Sequence, residues 1–299
     1  MTALDRFEGA LLGLACGDAV GTTVEFCPRD SFVPLSDMVG GGPFGLKAGQ
    51  WTDDTSMAMC LAESLLAKGG CDPHDQMGRY ANWHEWGYWS ATGRCFDIGM
   101  ATKAAIQQFL ATGEPLAGSP DPHSAGNGSL MRLAPIALRY GGDETVVQEM
   151  AQLSSRTTHG AAECLDACRV LAVALSRALA GQPKQAVLDL GGLRLGSPAI
   201  QAIAEGSYSN KRREQIQSSG YVAHSLEAAL WCVARHEDFR AVVLEAANLG
   251  DDADTTAAIA GQLAGALWGA RAIPAPWLQR LYQAQDIRGL AQALWQAHA

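Results

Sequence analysis

The sequence predicts an all-α fold, and three observations carry that prediction. Apolar residues recur at helical spacing along most of the 299-residue chain. Period-two alternation rich in Val, Ile and aromatic residues is almost absent. Ala and Leu, both strong helix formers, are abundant. The first predicted helix, 6–19, carries Gly9, Ala10, Gly13, Ala15, Gly17 and Ala19. Glycine weakens a helix, so its repetition inside one marks the close approach of another helix. Segment 55–67 sets Met57, Ala58, Leu61 and Leu65 on one face. Segments 98–111 and 160–179 follow the same period. In 222–235, Val222, Leu226, Ala229, Leu230 and Val233 form an i, i+4, i+7, i+8, i+11 stripe. Segment 238–248 is again helical in period. Segment 255–269 aligns Ile259, Leu263, Ala266 and Leu267, with Gly261, Ala264, Gly265 and Gly269 as small residues. This pattern suits a compact globule of crossing helices rather than a coiled coil.

The stretches 27–51, 86–97, 113–128 and 205–221 lack a helical period. Loops of that length inside a compact domain are often functional. Gly40-Gly41-Gly42-Pro43-Phe44-Gly45 reads equally as a lid, a loop close to a ligand, or a plain turn. No Pro/Ser linker or shift of composition divides the chain, so 1–299 is expected to form one domain.

A hydrophobic fraction of 48% and a charged fraction of 18% are those of a soluble globular protein. The net charge of −9 argues against a nucleic-acid partner. The one basic run, Lys211-Arg212-Arg213, reads as a solvated loop. Eight cysteines are irregularly spaced with no Cys-x-x-Cys. Cys60, Cys164, Cys168 and Cys232 sit among apolar residues, as reduced core cysteines of a cytoplasmic protein would. The apolar run 10–16 is too short and too acidic in its flanks for a secretory signal, and no segment reads as membrane-spanning.

Two acidic clusters stand out, Thr52-Asp53-Asp54-Thr55 and Asp251-Asp252-Ala253-Asp254-Thr255-Thr256. Each opens a predicted helix, where Asp and Thr serve as caps. Both are richer in carboxylate than capping needs. If the fold brings them together, their oxygens suit hard divalent cations, two of which can lie ~4 Å apart. A calcium EF-hand is excluded, since Ala257 and Leu263 stand where its Gly and Glu belong. Elaborate capping remains the competing explanation. Gly126-Asn127-Gly128-Ser129 reads either as a donor-rich phosphate-binding helix start or as a turn capped by Ser129. His159 in Thr157-Thr158-His159-Gly160 reads as a ligand contact or a hydrogen-bonding residue at a helix entrance. Asp97 reads as an N-cap of the following helix. Glu25 ends a helix-and-turn segment, where the helix dipole disfavours an anion.

Taken in order, Gly17-Asp18-Ala19-Val20-Gly21 with Glu25, Trp51-Thr52-Asp53-Asp54-Thr55, Gly126-Asn127-Gly128-Ser129, Met131-Arg132, Thr158-His159-Gly160, Gly220-Tyr221-Val222 and Asp252-x-Asp254-Thr255 resemble the ADP-ribosylglycohydrolase family over nearly the whole chain. The stretch Thr92-Gly93-Arg94-Cys95-Phe96-Asp97-Ile98-Gly99 draws the likeness toward its dinitrogenase reductase-activating branch. The resemblance implies an orthogonal all-α fold with two Mg²⁺ or Mn²⁺ ions. Thr52, Asp53 and Asp54 would ligate from one side, and Asp252, Asp254 and Thr255 from the other. Glu25 and Asp97 are the implied catalytic carboxylates. Gly126, Asn127, Gly128, Ser129, His159, Tyr208 and Tyr221 would hold ADP-ribose. The family pattern has Gly-Gly-Asp where this chain has Gly250-Asp251-Asp252, and Asp251 is expected to be a neighbour of the ligands. The implied reaction is cleavage of the N-glycosidic bond between ADP-ribose and a protein arginine, with nitrogenase iron protein as target. A PII-type regulatory partner, and through it a place at the membrane periphery, belong to the same implication. Hydrolysis of serine-linked or O-acetyl ADP-ribose, and an inactive ADP-ribose-binding member, are the competing readings.

Overall fold

A computed structural model describes residues 1–298. Fourteen α-helices appear among these residues: α1 Ala3–Gly21, α2 Asp53–Lys68, α3 Pro73–Trp86, α4 Met100–Thr112, α5 Ala134–Tyr140, α6 Glu144–Arg156, α7 Ala162–Leu179, α8 Lys184–Leu188, α9 Pro198–Ala204, α10 Val222–Arg235, α11 Phe239–Ala247, α12 Ala253–Trp268, α13 Ala275–Arg280 and α14 Ala284–His298. Pairing of extended backbone is limited to isolated bridges such as Gly41 with Leu46 and Gly126 with Tyr221.

The centre of the fold is an antiparallel pair, α1 against α12. Glycines make the approach possible. A Cβ on Gly9 would lie 2.2 Å from the Gly265 carbonyl oxygen, one on Gly13 2.3 Å from that of Gly261, and one on Gly17 2.1 Å from that of Ala257. At Gly21 the corresponding oxygen is that of Ala253 at 2.3 Å. Each step of four residues along α1 meets a step of four back along α12, so the two helices stay in register for their full length. Both are buried almost all round, which is why neither shows a strong polar face. The remaining long helices wrap this pair. α2, α11 and α14 lie against α1, while α7, α10 and α11 lie against α12.

All seven segments with clear periodicity are helical. The structure adds helices that periodicity left out. α6 buries Val147, Ala151, Ser154 and Ser155, a helical stripe disguised because half of it is serine. α3 starts at Asp72, whose carboxylate accepts from the amides of His74 and Asp75, with Pro73 at its first position. The basic run is not simply solvated. Lys211 pairs with Glu227 at 2.6 Å, and Arg213 with Asp30 at 2.9 Å and Glu245 at 3.2 Å. These pairs fasten the 205–221 loop to α10 and α11. All eight cysteines are free. No helix among the described residues is long and apolar enough to cross a membrane.

Candidate active site

The site forms where the C-terminal end of α1 meets the N-terminal ends of α2 and α12. Thr52 stands at the N-cap position of α2, yet its side chain makes no capping bond. Asp18 of α1 supplies the cap instead. It accepts from the Thr55 amide at 3.0 Å and the Thr55 hydroxyl at 2.6 Å, and from the Thr52 amide at 2.9 Å. The Thr52 hydroxyl is thereby free to face the carboxylates. It lies 3.0 Å from Asp18 Oδ1, 3.2 Å from Asp254 Oδ2 and 3.4 Å from Asp54 Oδ2. Asp252 likewise stands at the N-cap of α12 without capping it, and accepts from Asn127 Nδ2 at 2.8 Å. The Thr255 hydroxyl reaches Asp54 Oδ2 at 3.4 Å. Hydroxyls from both acidic clusters thus converge on one Asp54 oxygen, and capping does not account for the clusters.

Glu25, Asp97 and Asp254 meet beside them, each offering an oxygen within 4.8 Å of the others. Glu25 arrives on a short 3₁₀ turn after α1. The next residue, Phe26, takes the left-handed region at φ 61°, as does Asp251 at φ 53°. The Phe26 amide donates to the Asp251 carbonyl at 2.7 Å, and the Asp251 amide to the Cys27 carbonyl at 2.8 Å. This backbone exchange ties the Glu25 loop to the start of α12. It also explains the departure at Asp251, because Asp tolerates a conformation that otherwise favours Gly. Asp251 itself is exposed. Asp97, also left-handed at φ 59°, does not cap α4. Gly99 holds that position, and Asp97 turns into the cluster. Such backbone outliers gather at functional sites.

Seven carboxylates share this region: Asp18, Glu25, Asp53, Asp54, Asp97, Asp252 and Asp254. No Lys or Arg pairs with any of them among the described residues. Burial, followed by the charges of Asp97 and Asp252, pushes Glu25 up to about 9. Burial and then Asp18 push Asp97 up to about 7. Burial raises Asp18 to about 6 against the pull of its Thr52 and Thr55 hydrogen bonds. Asp53, Asp54 and Asp254 are raised well above the ordinary carboxylate range, burial leading and like charges adding. Glu25 Oε2 and Asp54 Oδ1 are buried without a hydrogen-bond partner. A crowded, all-oxygen set with orphaned buried oxygens fits hard divalent cations.

A cavity of about 840 Å³ opens from the cluster. Glu25, Asp53, Asp97, Asp252, Asp254 and Thr255 form one end. Gly126, Asn127, Gly128 and His159 form part of its wall. Thr52 and Asp54 are fully buried behind that end. Three residues expected at the ligand stand elsewhere. Ser129 is buried and accepts from the Ser155 hydroxyl at 2.8 Å, near Cys168. It caps nothing, since the next helix, α5, begins at Ala134. Tyr208 is 3% exposed in the core beyond α9 and does not line the cavity. Tyr221 is the N-cap residue of α10, its ring 4.9 Å from that of His224, and its neighbour Gly220 takes the place on the wall. Asp18, Phe26 and Thr102 were not among the expected site residues. Asp18 had a signal, as the one charge in the apolar, small-residue stretch 9–21 of α1. Thr102, 2% exposed on α4, had none, because only the fold brings it to Gly128.

The match to the family model for "ADP-ribosylglycohydrolase" runs over residues 1–299. The chain is 48% identical to the "ADP-ribosylarginine hydrolase Tri1" of Pseudomonas putida (strain GB-1), covering 98% of this chain and 78% of that one. It is 32% identical to the "ADP-ribosyl-[dinitrogen reductase] glycohydrolase" of Rhodospirillum rubrum, covering 93% and 90%. A solved structure titled "ADP-ribosylglycohydrolase-related protein complex" superposes with a TM-score of 0.88 at 44% identity, over 99% of each chain. With matches that span the helices, the cluster and the cavity alike, the chain belongs to the ADP-ribosylglycohydrolase family.

Proposed function

We propose that this protein hydrolyses the N-glycosidic bond between ADP-ribose and a protein arginine, acting as one catalytic unit over its whole length. The observation that carries the reading is the meeting of the Thr52 and Thr255 hydroxyls on Asp54 Oδ2, each 3.4 Å from it, behind a cavity walled by the Gly126–Gly128 turn. Breaking the bond leaves positive charge on the anomeric carbon of the ribose and sends the electron pair to the guanidine nitrogen. The carboxylate end of the cavity stabilises the first, and a protonated carboxyl serves the second. Asp97, at the carboxylate end of the cavity beside Glu25 and Asp254, is placed to deliver that proton and then to take one from the attacking water. Glu25, within reach of both Asp97 and Asp254, orients that water. Thr52, Asp53, Asp54, Asp252, Asp254 and Thr255 would hold two Mg²⁺ or Mn²⁺ ions, which would orient the ribose through its hydroxyls and polarise an attacking water.

The mouth of the cavity supports arginine over other linkages. Phe44, at the tip of a hairpin closed by Gly41–Leu46 backbone bonds of 2.7 and 2.9 Å, meets Phe26 at 6.4 Å and Phe96 at 5.2 Å between ring centroids. Phe26 is 66% exposed. Aromatic faces beside carboxylates suit a guanidinium. Identity to the relative named for arginine exceeds that to the relative named for dinitrogen reductase. We therefore take arginine linkage as the reading, with nitrogenase iron protein as one target to assay and a PII-type protein as one partner. The test is release of ADP-ribose from an ADP-ribosylated arginine peptide, with and without Mn²⁺. Wild-type release that needs the ion, and that is lost in Asp54→Ala and Asp97→Asn while Asp97→Asn still binds ADP-ribose, is the expected result. Release only from a serine-linked peptide would replace the arginine reading.

A further inference from the structure

Arg132 is wholly buried, and no carboxylate pairs with it among the described residues. Its guanidinium donates to the Gly128 carbonyl at 3.0 Å, to Thr158 Oγ1 at 2.8 Å and to Thr157 Oγ1 at 3.3 Å, and lies 4.8 Å from the Tyr80 ring centroid. A buried cation held only by dipoles and a ring face is costly. Its placement has a consequence for His159. Arginine has donors and no acceptor. The Thr158 oxygen therefore accepts from Arg132, and of the two ways it can bond His159 Nδ1, 2.8 Å away, only donation by Thr158 uses the hydroxyl proton. No other acceptor for that hydroxyl exists among the described residues. Nδ1 is then the acceptor of a neutral ring, and the ring hydrogen sits on Nε2. Burial and the Arg132 charge both oppose protonation of the ring, holding it down to about 3. Nε2 lies against the wall turn. A Cβ on Gly126 would come within 3.3 Å of it, and one on Gly128 within 3.2 Å. In the same turn the amides of Gly128 and Ser129 have no acceptor among the described residues.

We propose that Arg132, acting through Thr158, is a positioning residue that locks His159 as an Nε2–H donor, so that this wall of the cavity accepts only acceptor oxygens such as those of a diphosphate. The lock excludes His159 as a metal ligand or general base at Nε2. The choice of diphosphate rests on the ADP-ribose ligand proposed above, whereas the tautomer does not. Long-range ¹H–¹⁵N spectra of histidine-labelled protein, with His159→Gln to assign the signal, read the tautomer without any ligand. Wild type shows protonated Nε2 and bare Nδ1. Thr158→Val, close in shape but without the hydroxyl, loses that pure pattern and binds ADP-ribose about tenfold more weakly. Thr158→Ser restores both, which a packing role for Thr158 would not require. Protonated Nδ1 in wild type, or a tautomer unmoved in Thr158→Val, overturns the relay. Wild-type protein with the expected tautomer but no affinity for ADP-ribose keeps the relay and removes the ligand proposed for it.

Discussion

The two ends of the α1–α12 pair differ in kind. Along most of its length the pair is a seam of glycine against backbone, with Gly9, Gly13 and Gly17 set against Gly265, Gly261 and Ala257. The buried polar atoms without a partner on α12, Thr256 Oγ1 and Gln262 Oε1, carry no charge. At its other end the same two helices bring together Asp18, Glu25, Asp252 and Asp254, joined by Asp53, Asp54 and Asp97. There like charges crowd, and two buried oxygens lack partners. The seam stores the stability that the acidic end dissipates, as expected where a site needs charges that folding alone would reject.

The contrast can be broken first at the seam. Gly13→Ala would drive a methyl to 2.3 Å from the Gly261 carbonyl oxygen, and should destabilise the fold by about 3 kcal/mol in urea unfolding. Activity should fall with it, in proportion to the folded fraction. A wild-type midpoint would mean that the helices part without cost.

At the acidic end the sign reverses. Asp54→Asn removes a buried charge from among like charges, and should raise stability in chelator by about 1 kcal/mol while abolishing turnover. The pH dependence follows the same logic. Glu25, Asp97 and Asp18 are raised to about 9, 7 and 6 from ordinary values of 4.5, 3.8 and 3.8. Each binds its proton more tightly when folded, so its contribution is complete below the ordinary value and is lost as pH rises through the folded one. The melting temperature in chelator should therefore fall from about pH 4 to about pH 9, most steeply below pH 6 where all three groups contribute, with added Mn²⁺ flattening the fall. A flat or rising curve in chelator would mean that these carboxylates ionise without penalty. The smallest expected effect is at Asp251, at the rim of the acidic end. Asp251→Gly keeps the left-handed backbone at φ 53°, and should leave turnover unchanged and stability within about 0.5 kcal/mol, as measured by thermal unfolding and the peptide assay.

Much of this contrast was legible in the residues. Repeated glycines in 6–19 and 255–269 announced the seam, and the surplus of carboxylate announced the site. The departures share a cause. Ser129 and Tyr221 stand in motifs and Tyr208 does not, but which way each side chain turns depends on packing that the motif does not encode, Ser155 for Ser129 and His224 for Tyr221. Asp97 reads as a cap because it precedes a helix, but its left-handed backbone carries it past that role. Asp18 stands in a motif yet carries no expected role, since capping a helix other than its own leaves no local pattern.

The seam also fixes when the protein can begin to work. Arg6 donates to the Ala266 carbonyl across 260 residues of chain, and Gly21 waits for Ala253 over nearly the same span. During synthesis α1 leaves the ribosome long before its partner exists, as an apolar helix with a bare glycine face. Until α12 is translated, the chain has one of its two acidic motifs and a hydrophobic surface that a chaperone would recognise. Catalytic competence is therefore acquired late and all at once, and a chain stalled upstream of residue 253 would carry the first acidic motif without ever forming the second half of the site.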